Sequence, residues 1–536
     1  MLLKDIFDWK DPKLFSEQSI IRRSLVFFIV VICNFLIAIE SYAVSMSGDL
    51  LRGAYAIDYN RRQWTAIIFV MGFAIVPPIF SFFTSRFTPK VYFSIGNLVF
   101  MVGSWMGGLS TSYYILLLGR LITGIGSGIV SLSTLYFLKR TTHESKHSFI
   151  ASLNSNLIGV GVFLGMGIGG MISQTLHWRM AFFLDAVLCI FVFIVTWIIF
   201  KEHEAFTPRT PIDWVAYLYY LTFLVCITVF FSQVKSPWNT LGWVSEFSLL
   251  FAFLTILFFI LLVVRCKRSQ NPLFDLKLME NRSFKLLCIA AGLVGFTMYG
   301  SIINDIGLLV SEFQYEHVTT GLILATYGIA LFMSGVLVFF IKGIKPIVFV
   351  LIGILVIGIS FFAHHALTIQ SQPKDVAGLL ILRGIGTGIC LHSMLSAIQE
   401  RVPQEKVAQA STIISVFRMV IGTISLSLIY LITVTRQVYH TTRFAEQVDI
   451  YSGRFKQYIR EFQLYGEKKA SQNWEEAASR AKRYVIENLY TQAHIAAMND
   501  ALYIFAWVCV ILVILMGLNE WVISAKKETY LEHKFD

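Results

Sequence analysis

The stretch LLLGRLITGIGSGIVSL, residues 116–132, places Arg120 inside an otherwise apolar run with glycines at 119, 124, 126 and 128. A guanidinium inside a membrane-crossing helix has to be neutralised, whereas in a soluble protein it would simply face water. The surrounding chain decides between these settings. Its 536 residues are 56% hydrophobic and 14% charged, with mean hydropathy +0.67. Crossing a bilayer takes about 20 apolar residues at a rise of about 1.5 Å each, and such runs recur along the whole length. A soluble domain is excluded, and the fold class expected is an all-α polytopic membrane protein.

Fourteen spans are expected, near residues 24–46, 63–84, 91–110, 113–137, 148–173, 180–200, 213–232, 244–265, 284–311, 319–341, 344–364, 376–398, 406–434 and 499–523. The net charge of +11 forms no continuous stripe of the kind that binds nucleic acid; it sits in short connections between spans. Lys4, Lys10, Lys13, Arg22 and Arg23 precede the first span, and Arg86, Lys90, Lys139, Arg140, Arg265, Arg268 and Arg401 fall on that same side. The opposite short loops offer little beyond Arg52, Arg61, Arg62, Lys235 and Lys374, so both termini are expected in the cytoplasm. The first 23 residues read as a cytoplasmic tail without a small-residue cleavage site. Seven cysteines lie in or beside apolar runs with no CxxC spacing, which suggests neither a disulfide framework nor a zinc site.

A repeat organises the spans. LLLGRLITGIGSGI in the fourth is echoed by LLILRGIGTGICL in the twelfth, implying two halves of related design. The expected order is an N-terminal tail (1–23), a six-helix bundle (24–200), two inserted helices (213–265), a second six-helix bundle (284–523) and a tail (524–536). The connection 435–498, expected on the external face, is too long for a turn. Phe455, Ile459 and Phe462 share one helical face there, and Val485, Leu489, Ala493 and Ala497 another, which predicts a small helical cap or docking element.

Taken in series, these segments resemble the major facilitator superfamily, and within it the fourteen-helix drug:proton antiporter family. R120-LIT-G124-I-G126-S-G128 is similar to that family's arginine-glycine motif. GVGVFLGMGIGGMISQTLHWRMAFFLD resembles its antiporter motif followed by a Trp-Arg signature at Trp178, Arg179 and Phe182. FLIAIESYAVSMS resembles the acidic motif of the first helix, with Glu40 where aspartate is usual; NPLFDLKLMENRSF, ILRGIGTGICLHSM, SVFRMVIG and TQAHIAAMNDAL match the second half in order. Three positions depart from the pattern. Ser81 and Ser85 replace the glycine and aspartate of the loop motif, of which Arg86 and Lys90 survive; Met166 replaces a kink-forming proline; and Asp185 stands where asparagine is usual, as an added ionisable group expected near the external membrane face.

Glu40 lies about six residues before its span ends and Arg120 about seven after its span begins, so both sit roughly 10 Å deep. Asp305 and Arg383 repeat the arrangement in the second half. The resemblance implies that each acid and its arginine lie on neighbouring helices lining a central cavity. An isolated charge there costs roughly 2.5–3.5 kcal/mol on insertion scales, so pairing is expected. A carboxylate poised between an apolar surround and an arginine can bind and release a proton on small movements, which makes Glu40, Asp305, Arg120 and Arg383 the expected proton-coupling residues. Arg418 and His392 are candidate cavity residues, and Asp185 is a candidate with them. Gly161, Gly165 and Gly169 share a face that permits close helix approach and a gating slide.

The function expected from the resemblance is a proton-coupled exporter of small amphipathic or lipophilic molecules, of the multidrug or siderophore type, in the plasma (inner) membrane. An uptake symporter, an integral-membrane enzyme and a non-transporting sensor are the rivals. No GxxxxGK[ST] phosphate loop is present, and no cofactor or metal is implied. A periplasmic adaptor at 435–498 is a possible partner.

Overall fold

The computed structural model describes residues 20–140, 147–200, 211–236, 239–341, 343–448, 451–470 and 474–535; the tail expected over 1–23 therefore lies almost wholly outside the described residues. Those residues form helices and no strand. The long helices are α1 (Ile20–Met46), α2 (Tyr59–Arg86), α3 (Pro89–Leu109), α4 (Tyr113–Arg140), α5 (His147–Thr175), α6 (Arg179–Ile199), α7 (Trp214–Gln233), α8 (Glu246–Arg268), α9 (Arg282–Glu312), α10 (His317–Phe340), α11 (Pro346–His364), α12 (Pro373–Arg401), α13 (Val407–Gln447) and α14 (Trp474–Phe535). All but α3 are long and apolar enough to cross a membrane. Ser94, Asn97, Ser104 and four glycines share the buried face of α3 with Tyr92, Phe93 and Phe100, and these small and polar residues lower its mean hydropathy.

Local chemistry sets the boundaries. Asn281 accepts from the amides of Ser283 and Phe284 to start α9, and Ser245 and Asp213 cap α8 and α7 in the same way. Pro346 opens α11, and Pro373 opens α12 within a reciprocal capping box between Gln372 and Asp375. Pro77 and Pro78 tighten one turn of α2 and bend it. With Met166 in place of proline, α5 runs unbroken for 29 residues. Wide π-helical turns interrupt α9 at Phe296–Ser301 and Leu308–Glu312, a feature that apolar periodicity did not predict.

Packing follows the repeat. In the first half α1 lies on α5, α3 on α4 and α6, and α2 on α4; in the second, α9 lies on α13, α11 on α12 and α14, and α10 on α12. Adding eight to each helix number turns one set into the other. Contacts between the halves keep the same symmetry, since α5 packs on α10 and α2 on α13. Helices α7 and α8 pack on each other, and the Tyr217 and Tyr220 hydroxyls donate to carbonyls of Ile75 and Ala74, docking α7 at the bend of α2. Helix α8 stays at the periphery, with 11% of its apolar window buried.

Beyond the membrane spans, α13 continues to Gln447, a helix Gly453–Ala470 follows, and α14 begins at Trp474. The helix Gly453–Ala470 packs on α14 there: Ile459 is buried, Phe462 stacks on Tyr484 with ring centroids 5.1 Å apart, and Ala493 and Ala497 are buried.

Glycines set the helix separations. A Cβ on Gly161, Gly165 or Gly169 would meet Ala38 Cβ at 2.4 Å, Ile39 Cα at 2.9 Å or Ala43 Cα at 2.5 Å, so their face packs on α1 inside the same half. The seam between halves belongs instead to Gly159 and Gly170 against Gly328 and Gly321, where backbones touch without side chains between them. Gly165→Val is expected to destabilise by about 1–3 kcal/mol through overpacking. Gly167→Ala, two residues on with nothing within 4 Å of its added carbon, should leave the detergent melting temperature at or above that of the unsubstituted protein.

Candidate functional site

Each half buries one acid–arginine pair. In the first, Arg120 Nη1 of α4 donates to Glu40 Oε1 of α1 at 2.5 Å, and both side chains are shut off from solvent. Arg120 Nε donates to the Thr65 carbonyl at 3.0 Å, and the guanidinium lies over the Phe69 ring at 4.4 Å, so α2 supplies the second and third contacts. Arg120 is thereby fixed in a charge-assisted bond, and Glu40 Oε2 is left without a hydrogen-bond partner.

Asp185 of α6 completes this cluster. It is fully buried, neither carboxylate oxygen has a hydrogen-bond partner, and it lies within electrostatic reach of Glu40 and Arg120. It lies a turn and a half into α6, within electrostatic reach of the ion pair. One guanidinium is bonded to one acid with a second acid within electrostatic reach, and this group of three is neutral only when one carboxyl carries a proton.

In the second half Arg383 Nη1 of α12 donates to Asp305 Oδ2 of α9 at 2.5 Å, with the guanidinium 4.9 Å from the Phe361 ring centroid. Arg383 Nε and Nη2 have no hydrogen-bond partner. Asp305 Oδ1 lies 3.0 Å from Nε2 of His364, the last residue of α11, and His364 Nδ1 lies 3.0 Å from Asn499 Oδ1 of α14. Asn499 Nδ2 donates to the Leu367 carbonyl at 2.8 Å. Helices α6 and α14 take matching places in the two halves, and each brings a polar side chain toward the buried pair of its half, Asp185 in one and Asn499 in the other.

His364 and Asn499 escaped the sequence reading. The available signals were the tandem His364–His365 closing an apolar run and Asn499–Asp500 opening another, neither of which has a spacing rule. His392, the histidine read from the sequence, is half-buried on α12 and meets Phe339 edge-on at 6.4 Å. Arg418 of α13 stands apart from both clusters; its Nε has no hydrogen-bond partner and Tyr299 is its electrostatic neighbour. Gly161, Gly165 and Gly169 bring α5 against α1, beside Glu40. In the degenerate loop motif, Arg86 lies over Phe82 at 4.3 Å and Lys90 donates to the Trp197 carbonyl, both within the first half. Among the described residues no group of three or more His, Cys, Asp or Glu side chains could hold a metal ion.

Bonds between the halves gather at the end of the bundle where α1 finishes and α10 starts. Tyr42 donates to the Met298 carbonyl at 3.1 Å, Ser311 to Asp49 at 3.4 Å, and Gln174 spans to both Glu316 and the Val318 amide. Tyr59 stacks on Tyr430 in the same region. Burial pushes the Asp49 carboxyl up, but the Arg62 guanidinium, bonded at 2.7 Å, and then Arg52 outweigh it and hold Asp49 below the usual carboxylate range.

A buried pair is weak evidence of stability while intact, yet breaking it strands a charge. Arg120→Leu is therefore expected to cost roughly 3–5 kcal/mol, and Arg120→Leu combined with Glu40→Leu markedly less. Melting temperatures of the single and double variants in detergent check this.

A model described as the Major Facilitator Superfamily matches residues 30–426. Among curated relatives, the multidrug export protein EmrB of Haemophilus influenzae is 22% identical over 479 residues, covering 89% of this chain and 91% of that protein. The fatty acid resistance protein FarB of Neisseria gonorrhoeae is 21% identical over 421 residues, 78% of this chain and 82% of its own. Among solved structures, a bacterial homologue of the human lysosomal transporter Spinster, inward-facing and unoccupied, superposes with a TM-score of 0.57 at 15% identity, covering 94% of this chain and 97% of that one. The D-xylose–proton symporter superposes with a TM-score of 0.55 at 12% identity, over 76% of this chain and 90% of its own.

Proposed function

Starting from the fact that the chain belongs to the Major Facilitator Superfamily, we propose that it is a proton-coupled exporter of small amphipathic or lipophilic molecules. Membership makes it a multi-pass secondary transporter. Export is favoured by relatives of nearly equal length named for multidrug export and fatty acid resistance. The observation that supports proton coupling is the count in the first cluster, where Arg120 is bonded to Glu40 and a second buried acid, Asp185, lies within electrostatic reach of both with no bonded partner among the described residues.

The cycle follows from that count. With one proton on the carboxyl groups the cluster is neutral and stable in a low-dielectric layer; without it the cluster carries a negative charge that an entering cationic or polar substrate offsets. Proton and substrate are then alternative ways to balance one site, which is antiport. Glu40 carries the proton, Arg120 tunes it, and Asp185 is the second acid of the pair; Asp305 and Arg383 are the corresponding groups of the other half. Alternating access proceeds by rocking one half against the other along the glycine seam of α5 and α10.

Basic residues concentrate at the end opposite the inter-half bonds, so both termini face the cytoplasm of a plasma or inner membrane, and residues 435–498 project outside. That outer segment exposes Tyr458 and Tyr490 beside its internally packed face, a surface suited to a periplasmic adaptor protein. Deleting residues 440–490 is expected to abolish export from whole cells and preserve transport in vesicles; loss in both assays would assign the segment to folding.

Energised inside-out vesicles carrying a pH-sensitive dye test the exporter reading, with lipophilic cations, siderophores and organic acids added in turn. A substrate-triggered proton movement is expected in the unsubstituted protein, absent from Glu40→Gln and reduced in Asp185→Asn. Substrate movement with no accompanying proton in the unsubstituted protein would refute coupling.

A further inference from the structure

We propose that His364 is the proton-holding partner of Asp305, so that the second half carries its proton on a buried carboxyl–imidazole pair and not on a carboxylate alone. The proposal rests on the coupled-exporter reading for the fate of that proton, and on hydrogen-bond parity for its presence. Asn499 Nδ2 donates to the Leu367 carbonyl at 2.8 Å, which fixes the amide and turns its oxygen toward the ring. An amide oxygen only accepts, so His364 Nδ1, 3.0 Å away, must carry a hydrogen. A neutral imidazole has only one N–H, and Nε2 would then present a bare lone pair to Asp305 Oδ1 at 3.0 Å. That contact is a bond only if a second proton lies between them, and with Arg383 bonded to Asp305 Oδ2 favouring the carboxylate, that proton rides on Nε2. The pair therefore holds a doubly protonated ring.

Loss of this proton leaves two lone pairs 3.0 Å apart in a buried site, which turns an attraction between α9 and α11 into a repulsion. Proton occupancy is thereby tied to helix position. The π-helical turns of α9 on either side of Asp305 give that helix turns that can rewind locally. The groups around the pair are Arg383 from α12 bonded to Asp305 Oδ2, the Tyr327 hydroxyl from α10 within electrostatic reach of Asp305 and Arg383, His365 just past the end of α11, and Asp500 beside Asn499 on α14. The last two make an entry. His365 is 53% exposed and lies 3.6 Å from Asp500 Oδ1, while Arg436 and His440 of α13 bind Asp500 Oδ2 at 2.6 and 2.7 Å. Consecutive residues, His364–His365 and Asn499–Asp500, thus place a solvated acid–base group directly outside the buried one. A proton passes from water to that group, on to the Asp305–His364 pair, and leaves to water on the other side, with no other bond made or broken.

Nitrogen NMR of histidine-labelled protein tests the resident proton without any transport. At about pH 8, where an unperturbed histidine is neutral, one doubly protonated ring is expected that is shielded from a water-soluble paramagnetic agent and missing from His364→Gln. Finding every shielded ring singly protonated would overturn the proposal. If His364→Gln does not fold, Asn499→Leu keeps the ring and removes the acceptor at Nδ1, and the doubly protonated signal should weaken; an unchanged signal counts against the assignment. In proteoliposomes loaded with the compound that moves protons in the vesicle screen, His364→Gln is expected to retain proton-independent substrate exchange and to lose substrate-linked proton movement by the second half. Proton movement with an unaltered pH profile in that variant would refute the role of His364. Absence of proton movement from the unsubstituted protein would refute coupled export itself, a result distinct from a loss confined to the variant.

Discussion

A charge in the hydrocarbon layer has to be matched, and the structure is arranged around two such matches. Each brings together helices distant in sequence, α1 with α4 and α9 with α12, and fixes them at the depth where acid and guanidinium meet. The aromatic ring beneath each guanidinium and the carbonyl that receives Arg120 Nε do the work that water does at a surface. Removing either partner exposes the remaining one to several kcal/mol of uncompensated desolvation. The same energetic rule that holds the helices together makes the site responsive, because one proton more or less changes which groups are matched.

The two halves solve the problem differently. In the first, the third group is Asp185, an acid with no hydrogen bond among the described residues; in the second it is His364, held at both nitrogens and backed by the Asn499 amide. One cluster has an excess of acid and the other an excess of base. The seam between the halves brings glycine backbones of α5 and α10 together, and polar bonds from Asp49, Gln174 and Tyr42 join the halves at one end.

Much of this was legible in the sequence because membranes impose one strong rule. Apolar length locates most helices within a few residues, though α13 runs 13 residues past its expected span and α14 begins 25 residues before its own, because polar helical turns continue beyond the apolar run. Arg120 and Arg383, each alone in an apolar run, require acids near them, and counting residues from the span ends points to Glu40 and Asp305. What escaped was set by helix rotation and by local departures from helical geometry. His364 and His392 are both histidines on apolar helices, and only the azimuth of each helix decides that one meets Asp305 and the other Phe339. The glycines of α5 could be seen to share faces, but whether a face looks at α1 or across at α10 depends on the packing of the whole bundle. The π-helical turns of α9 leave no mark on hydropathy at all.

Helix α14 runs without a break from Trp474 to Phe535, so that one rod of 62 residues carries both the outer segment and Asn499. An α-helix resists stretching, and a displacement applied to one part of it arrives at another almost undiminished. Tilting or turning the outer part of this rod by a few degrees moves the amide that faces His364 and the carboxylate that faces His365 by the same rotation. One continuous helix therefore links the segment packed beyond the spans to the amide at the buried charges.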